Sequence, residues 1–369
     1  MVLELATRLA ARDHVVSVVS QRQIRSLTDR YANVEFREIP GPLPDSIAHY
    51  ILQARVIRGI IDALDDFRPD VVVANVVPSN YWGALYRVNR PGIRVVWYCH
   101  DTTVLGAARS TLHSVAPPMG WMLLLATGNP LFRAFDRWAI SHMDYIVANS
   151  RYTGQLVRRL YKRDSEVVYP GVDPASYAPS SDRGSYVLAV GQLSRFKNFE
   201  LAIEALALCK EEFSARKTRM VIVGDGPHRQ ALVNHAMRFG VAGITEFLGA
   251  VRPDELPPLY SRALFTVFPT VSEAFGLVPI ESMASGTPTI AVNSGGPAET
   301  VVDGRTGILT DPTPIAFARA MTYLLQNQNL IEEMGSEGRA HVLTNFTWER
   351  AALAFERALR KNDGNGKTL

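Results

Sequence analysis

Short β-branched apolar runs alternate with segments of helical periodicity along almost the whole of this 369-residue chain. The runs fall at residues 15–19, 34–39, 71–76, 95–99, 145–148 and 166–169 in the first half. In the second half they fall at 186–190, 220–223, 245–248, 264–268, 289–292 and 307–309. Helical stretches such as residues 47–67 separate most of them. That alternation is the signature of doubly wound parallel sheets with helices on both faces. The length suits two domains of ordinary size. Between the halves, Pro170-Gly171-Val172-Asp173-Pro174 and Pro179-Ser180-Ser181-Asp182-Arg183-Gly184 form a Pro/Gly/Ser cluster that reads as a linker. The predicted organisation is an N-terminal domain at 1–170, a linker at 171–184 and a second domain at 185–345. A C-terminal helix at 346–360 and a polar tail at 361–369 follow.

Residues 269–281 carry the densest chemistry. Glu273 and Glu281 stand astride Phe275-Gly276, directly after the apolar run at 264–268. Residues 277–284 read as the first turns of a helix, so Glu273 falls in the strand-to-helix loop and Glu281 about one turn inside the helix. At the carboxyl edge of a parallel sheet, such a loop and the free N–H groups of the helix face a ligand crevice. Two acids there suit hydroxyl recognition, while the amides between them suit an anion. Together they describe a sugar attached to a phosphate. For an isolated pair the alternative is a loop charge and a solvated helix face.

Other segments supply further candidates. His100 ends the run Val95-Val96-Trp97-Tyr98-Cys99-His100 and so faces the crevice of the first domain. Gly191-Gln192-Leu193-Ser194-Arg195-Phe196-Lys197-Asn198 follows the first strand of the second domain, and cations in a loop before a helix can neutralise a diphosphate. Val223-Gly224-Asp225-Gly226-Pro227 reads as a strand-to-helix turn, chiefly conformational, with Gly224 also able to let a ligand approach the backbone. Ser294-Gly295-Gly296-Pro297-Ala298-Glu299 has glycines suited to close packing beneath the acidic loop, and Glu299 reads equally well as structural.

In this order the motifs resemble the retaining glycosyltransferases of family 4, whose pattern is Glu, seven residues, Glu, usually with Phe-Gly after the first acid. The resemblance runs over about residues 1–360. It implies the GT-B architecture: two Rossmann-like domains with the site in the cleft between them, and a last helix that crosses back to the first domain. The implied reaction moves a hexose from a nucleotide diphosphate sugar to an acceptor hydroxyl, with retention at the anomeric carbon. His100 is implied to approach the donor sugar and Glu281 to accept hydrogen bonds from the ribose. Glu273 is implied to hold sugar hydroxyls, helped by amides around Phe275, Gly276 and Leu277. Lys197 and Arg195 are implied to stabilise the departing diphosphate. Gln192 stands where the family usually has arginine, which makes Arg195 the candidate for the second phosphate contact. No cofactor or metal is expected, because the cations and helix amides can serve the diphosphate and no Asp-x-Asp stands in a suitable loop. The donor is GDP-mannose or a UDP-hexose; the Tyr-Cys-His and Lys-Asn variants lean towards mannosyltransferase-like members. The expected acceptor is a lipid-linked or glycan precursor. The rival readings are a non-catalytic homologue that binds sugar nucleotides or scaffolds a complex, and another GT-B enzyme such as an epimerase or phosphorylase.

No Gly-x-Gly-x-x-Gly follows a strand and no kinase-type phosphate loop is present, which argues against a dehydrogenase or kinase. Residues 1–170 hold 20 Lys and Arg against 15 Asp and Glu, whereas the remainder holds 19 against 21. The modestly basic first half suits peripheral contact with an anionic membrane, but no block of charge is dense enough for nucleic acid. The segment 117–135 is apolar, broken by Gly128, Asn129 and Pro130, and too short to span a bilayer. Two cysteines without disulfide or metal spacing fit a reduced, cytoplasmic setting. The family opens with a strand and a Gly-Gly loop before its first helix. Here Met1 falls directly on that helix, whose apolar face is Val2, Leu5, Ala6 and Leu9, so the native protein is expected to begin upstream.

Overall fold

The structure is a computed structural model and describes residues 1–20, 31–39, 53–75, 78–101 and 129–361. The first half runs α1 (Val2–Ala10), β1 (Ser17–Ser20), β2 (Glu35–Glu38), α2 (Gln53–Phe67), β3 (Val71–Ala74), α3 (Ser79–Asn89) and β4 (Arg94–Cys99). It continues through α4 (Pro130–Ser141), β5 (Tyr145–Ala148), α5 (Arg151–Tyr161) and β6 (Glu166–Val167). β3, β4, β5 and β6 form one parallel ladder in that order, and β1 pairs with β2 in a separate parallel ribbon. β4 shows why its sequence is apolar at successive positions. Val96 and Tyr98 point to one face, where they meet Leu5, while Val95, Trp97 and Cys99 point to the other, against Ala139 and Ile140. A strand buried on both sides has no polar face to offer.

The second half runs β7 (Tyr186–Val190), α6 (Phe199–Leu208), α7 (Lys210–Ala215), β8 (Arg219–Val223), α8 (Arg229–Arg238), β9 (Thr245–Gly249) and α9 (Leu256–Arg262). Then come β10 (Thr266–Phe268), α10 (Leu277–Ala284), β11 (Thr289–Val292), α11 (Pro297–Thr300), β12 (Gly307–Thr310), α12 (Pro314–Gln326), α13 (Gln328–Asn345) and α14 (Trp348–Lys361). All six strands are parallel, in the order β12-β11-β10-β7-β8-β9. The chain lays β8 and β9 to one side of β7, then crosses the sheet and lays β10, β11 and β12 to the other. The strand order therefore reverses between β7 and β10, the point at which open parallel sheets characteristically place a ligand beyond the carboxyl ends of their strands. One face of this sheet is covered by α6 and α12 through Phe199, Ile203, Phe317 and Met321.

The chain passes between the two halves twice. The linker pairs with the end of α13: Val172 N donates to Phe346 O at 2.9 Å, and a Cβ on Gly171 would lie 2.2 Å from the Thr347 carbonyl carbon. α14 then packs on the first sheet, placing Trp348, Ala351, Ala352 and Phe355 against Leu5, Val96, Tyr98 and Val147. Its polar edge carries ion pairs to α1 and the turn after it. Arg8 meets Glu349, and the buried Glu356 receives both Arg12 (2.7 and 2.8 Å) and His14 (2.9 Å).

Several sequence-predicted limits move. The predicted strand at 264–268 is regular only over Thr266–Phe268, and that at 166–169 only over Glu166–Val167, an edge strand bonded on one side. Residues 47–52 of the predicted first-half helix, residues 117–128 of the apolar segment and residues 362–369 of the tail lie outside the described residues. Among those described, no helix is long and apolar enough to cross a membrane. Cys99 and Cys209 are both buried free thiols.

Candidate functional site

The loops after β7 and β10 meet at the point where the strand order reverses. Asn198 ends a short 3-10 turn at Arg195–Lys197 and adopts a left-handed conformation (φ +54°). Its side chain donates to Pro269 O at 3.2 Å, while Thr270 Oγ1 donates to Lys197 O at 3.4 Å. With the two loops stapled in this way, Lys197 Nζ reaches Glu273 Oε2 at 2.6 Å. The ammonium also lies near the rings of Phe196 and Phe268. Arg195 points outward and its guanidinium makes no hydrogen bond or ion pair among the described residues.

Beyond Glu273 the loop turns into α10. Phe275 is buried, with its ring among Tyr169 and Phe346, so only its backbone can serve a ligand. Gly276 has φ +85° and no side chain with which to cap the helix, leaving the amides of the first turn, beginning at Leu277, available to an anion. The turn at residues 294–296 presses on this loop from below. A Cβ on Gly295 would lie 2.3 Å from Glu273 O, and one on Gly296 2.2 Å from Phe275 O. Only glycine permits so close a backbone approach.

Glu281, one turn into α10, accepts a hydrogen bond from the hydroxyl of the fully buried Tyr260 at 2.8 Å and another from Tyr177 in the linker. Burial nevertheless pushes its carboxyl pKa up, opposed by those two phenols. Gly224 is explained by packing: a Cβ there would lie 1.9 Å from Gly191 O, so the two strand-end loops touch backbone to backbone.

The first domain contributes His100, at the carboxyl end of β4. It is 8% exposed, its ring stacks on Tyr98, and Nε2 lies 3.3 Å from Asn75 Oδ1 while Nδ1 has no partner among the described residues. Burial lowers its pKa to about 4, so at neutral pH the imidazole is neutral, with Nδ1 buried and unpartnered among the described residues. Asn149 Nδ2 holds the His100 carbonyl at 2.9 Å, and the next residue, Ser150, donates its hydroxyl to Ala274 O of the acidic loop at 2.5 Å. His100 is thus two residue contacts away from Glu273, although they belong to different domains. Sequence reasoning did not single out Asn149, Ser150, Tyr169, Tyr177 or Tyr260. Ser150 carries a helix-capping signal, which it fulfils on Thr153 N, but its bond to a residue 124 positions away leaves no local trace. A separate groove of about 790 Å³, lined by Tyr186, Arg219, Leu248 and Arg262, contains none of these residues.

Comparisons with known proteins bear on the family and the fold. A family described as Glycosyltransferase Family 4 matches residues 1–176, and one described as Glycosyl transferases group 1 matches residues 178–341. The D-inositol 3-phosphate glycosyltransferase of Streptomyces bingchenggensis is 27% identical over 96% of this chain and 82% of its own. The Corynebacterium diphtheriae protein of the same name is 32% identical over 61% of this chain, a match that spans only 57% of that relative's length. Alpha-1,3/1,6-mannosyltransferase ALG2 of Homo sapiens is 25% identical over 78% of this chain and 72% of its own. Among solved structures, Anabaena Alr3699/HepE in complex with UDP and glucose superposes with a TM-score of 0.78 at 18% identity, over 97% of this chain and 94% of that one. Sucrose-phosphate synthase from Thermosynechococcus elongatus gives 0.79 at 20% identity, over 97% and 91%. Two family descriptions in succession cover nearly all of the sequence, and whole-chain superpositions reproduce both sheets: the chain belongs to the family 4 glycosyltransferases and has their GT-B fold.

Proposed function

We propose that the protein transfers a hexose, with mannose preferred, from a nucleoside diphosphate sugar to an acceptor hydroxyl, with retention at the anomeric carbon. The observation that carries the reading is the Lys197–Glu273 contact at the strand reversal, set beside the uncapped amides of α10. A cation, an anion and helix amides within one loop pair match a donor that carries both phosphate and hydroxyls. In the step itself the bond between the anomeric carbon and the diphosphate oxygen breaks and the acceptor oxygen bonds on the same face. The leaving phosphate oxygen takes the acceptor's proton. Lys197, the α10 amides and Arg195 stabilise the negative charge that develops on the diphosphate, and preorganised electrostatics of this kind dominate the rate gain in such sites. Glu273 orients the sugar hydroxyls, Glu281 the ribose, and neutral His100, at the carboxyl end of β4, lies towards the sugar.

The mannosyl preference is supported by the Tyr-Cys-His and Lys-Asn variants and by the human mannosyltransferase among the relatives. The relatives named for D-inositol 3-phosphate support an acceptor that is itself phosphorylated. Exposed Leu131 and Phe135 beside Arg133 and Arg137 on α4 suit peripheral contact with an anionic membrane from the cytoplasmic side. The test is a panel of GDP- and UDP-sugars with mannosyl and inositol-phosphate acceptors. Nucleoside diphosphate release would be followed, and the anomeric configuration of the product read by NMR. Transfer with retention supports the reading. An isomerised donor, phosphate-dependent cleavage or an inverted product would overturn it.

A further inference from the structure

Asn149, Ser150, Arg151 and Tyr152 are consecutive, and between them they reach three residues: His100, Ala274 and Glu299. Asn149 holds the His100 carbonyl and Ser150 holds the Ala274 carbonyl. The backbone amide of Arg151 donates to Glu299 Oε2 at 2.9 Å and that of Tyr152 to Glu299 Oε1 at 2.7 Å. The Tyr169 hydroxyl adds a third bond to Oε2 at 2.8 Å. Glu299 therefore caps the first turn of α5 from the other domain. α5 already has its own cap, since Ser150 accepts from Thr153 N at 2.9 Å. With that cap in place, the bonds from Glu299 act chiefly on the relation between the domains. A carboxylate on two helix N-terminal amides is a charge-assisted, directional contact. Its own segment, residues 294–299, is the turn whose glycines press on the backbone of Glu273 and Phe275.

We infer that Asn149–Tyr152 is the joint that sets His100 against Glu273 and the α10 amides, and that Glu299 is its anchor, a positioning residue for the transfer step. The inference rests on the proposed reaction, but the joint itself is measurable without turnover. A bland surface carboxylate would leave both the domain relation and the chemistry unchanged on removal.

Glu299→Ala, Glu299→Gln and wild type are compared as full-length proteins. In Glu299→Ala, hydrogen exchange at the Arg151 and Tyr152 amides should speed up about tenfold or more, with the β10 amides unchanged. Spin labels at the exposed Gln155 and Met237 should show a broader interdomain distance distribution. kcat should fall about 10- to 100-fold with the donor KM within about threefold, since a misplacement of around 1 Å costs that much. Glu299→Gln should recover part of each change, because its amide oxygen still accepts. Should Glu299→Ala fail to fold, Tyr169→Phe removes one bond of the three and should move the same readouts more weakly. Unchanged exchange or an unchanged distance distribution would overturn the joint. Wild-type kcat in a variant with a loosened joint would overturn the positioning role. If wild type transfers no sugar, the reaction is wrong, while exchange and distances still decide the joint.

Discussion

At the scale of single residues the site is built from groups held in unfavourable states. Glu281 is an example: burial raises its pKa despite two phenol donors. A carboxyl whose folded pKa is raised contributes stability at low pH that is lost as pH rises through the folded value. Glu281→Gln should therefore raise the melting temperature at neutral pH while weakening nucleoside diphosphate binding about tenfold, the loss of a charge-assisted bond. Calorimetry and titration of GDP or UDP check both halves, and a destabilised variant with intact affinity would contradict the role. Lys197→Ala should lower kcat by about 100-fold or more, from lost stabilisation of the leaving group, which steady-state kinetics with the active donor would read. Gly224→Ala should cost about 2 kcal/mol or more, because its Cβ would collide with Gly191 O, and urea unfolding would show it. Lys197, Glu273 and Glu281 were legible from the spacing of charges around strand ends. The Gly224–Gly191 contact was not, because a backbone touching a distant backbone imposes only the absence of a side chain.

At the scale of elements, α10 was readable at its start, which Gly276 and the apolar run after it mark, whereas its end at Ala284 was not. β10 was read two residues too long: Leu264 and Phe265 are core residues, and core burial alone does not make a ladder. α14 depends most on what it packs against. Its apolar stripe announces a buried face, and its ion pairs to α1 and His14 say where that face goes. Arg12 holds the Glu356 carboxyl below its usual range, with His14 adding to it. Such a group contributes stability above the unfolded carboxylate pKa that is lost as pH falls through the depressed folded value. Glu356→Gln should cost roughly 1–2 kcal/mol at pH 7, discounted because Arg12 is partly exposed, and the two proteins should converge in acid. Urea midpoints from pH 7 down to pH 3 would check it; a pH-independent difference would rule out the ionic contribution.

At the scale of the whole molecule, the chain crosses between the domains twice, at the linker against residues 346–347 and at α14 on the first sheet, and the contacts of residues 150–152 with Ala274 and Glu299 join them again. Gly171→Ala would drive a Cβ into the Thr347 backbone, and it should split a single calorimetric unfolding transition into two. A single unshifted transition would show that the crossing carries no coupling. The sequence by itself determined that the chain alternates strand and helix and which charges stand at strand ends, because apolar periodicity and turn chemistry act over a few residues. Only the tertiary structure decided that β7 and β10 are neighbours and that Lys197 meets Glu273. It alone placed Asn149, Ser150 and Glu299 where they join His100 to the acidic loop. Those pairings depend on the order in which strands assemble and on backbone contacts more than a hundred residues apart, which local side-chain patterns do not encode.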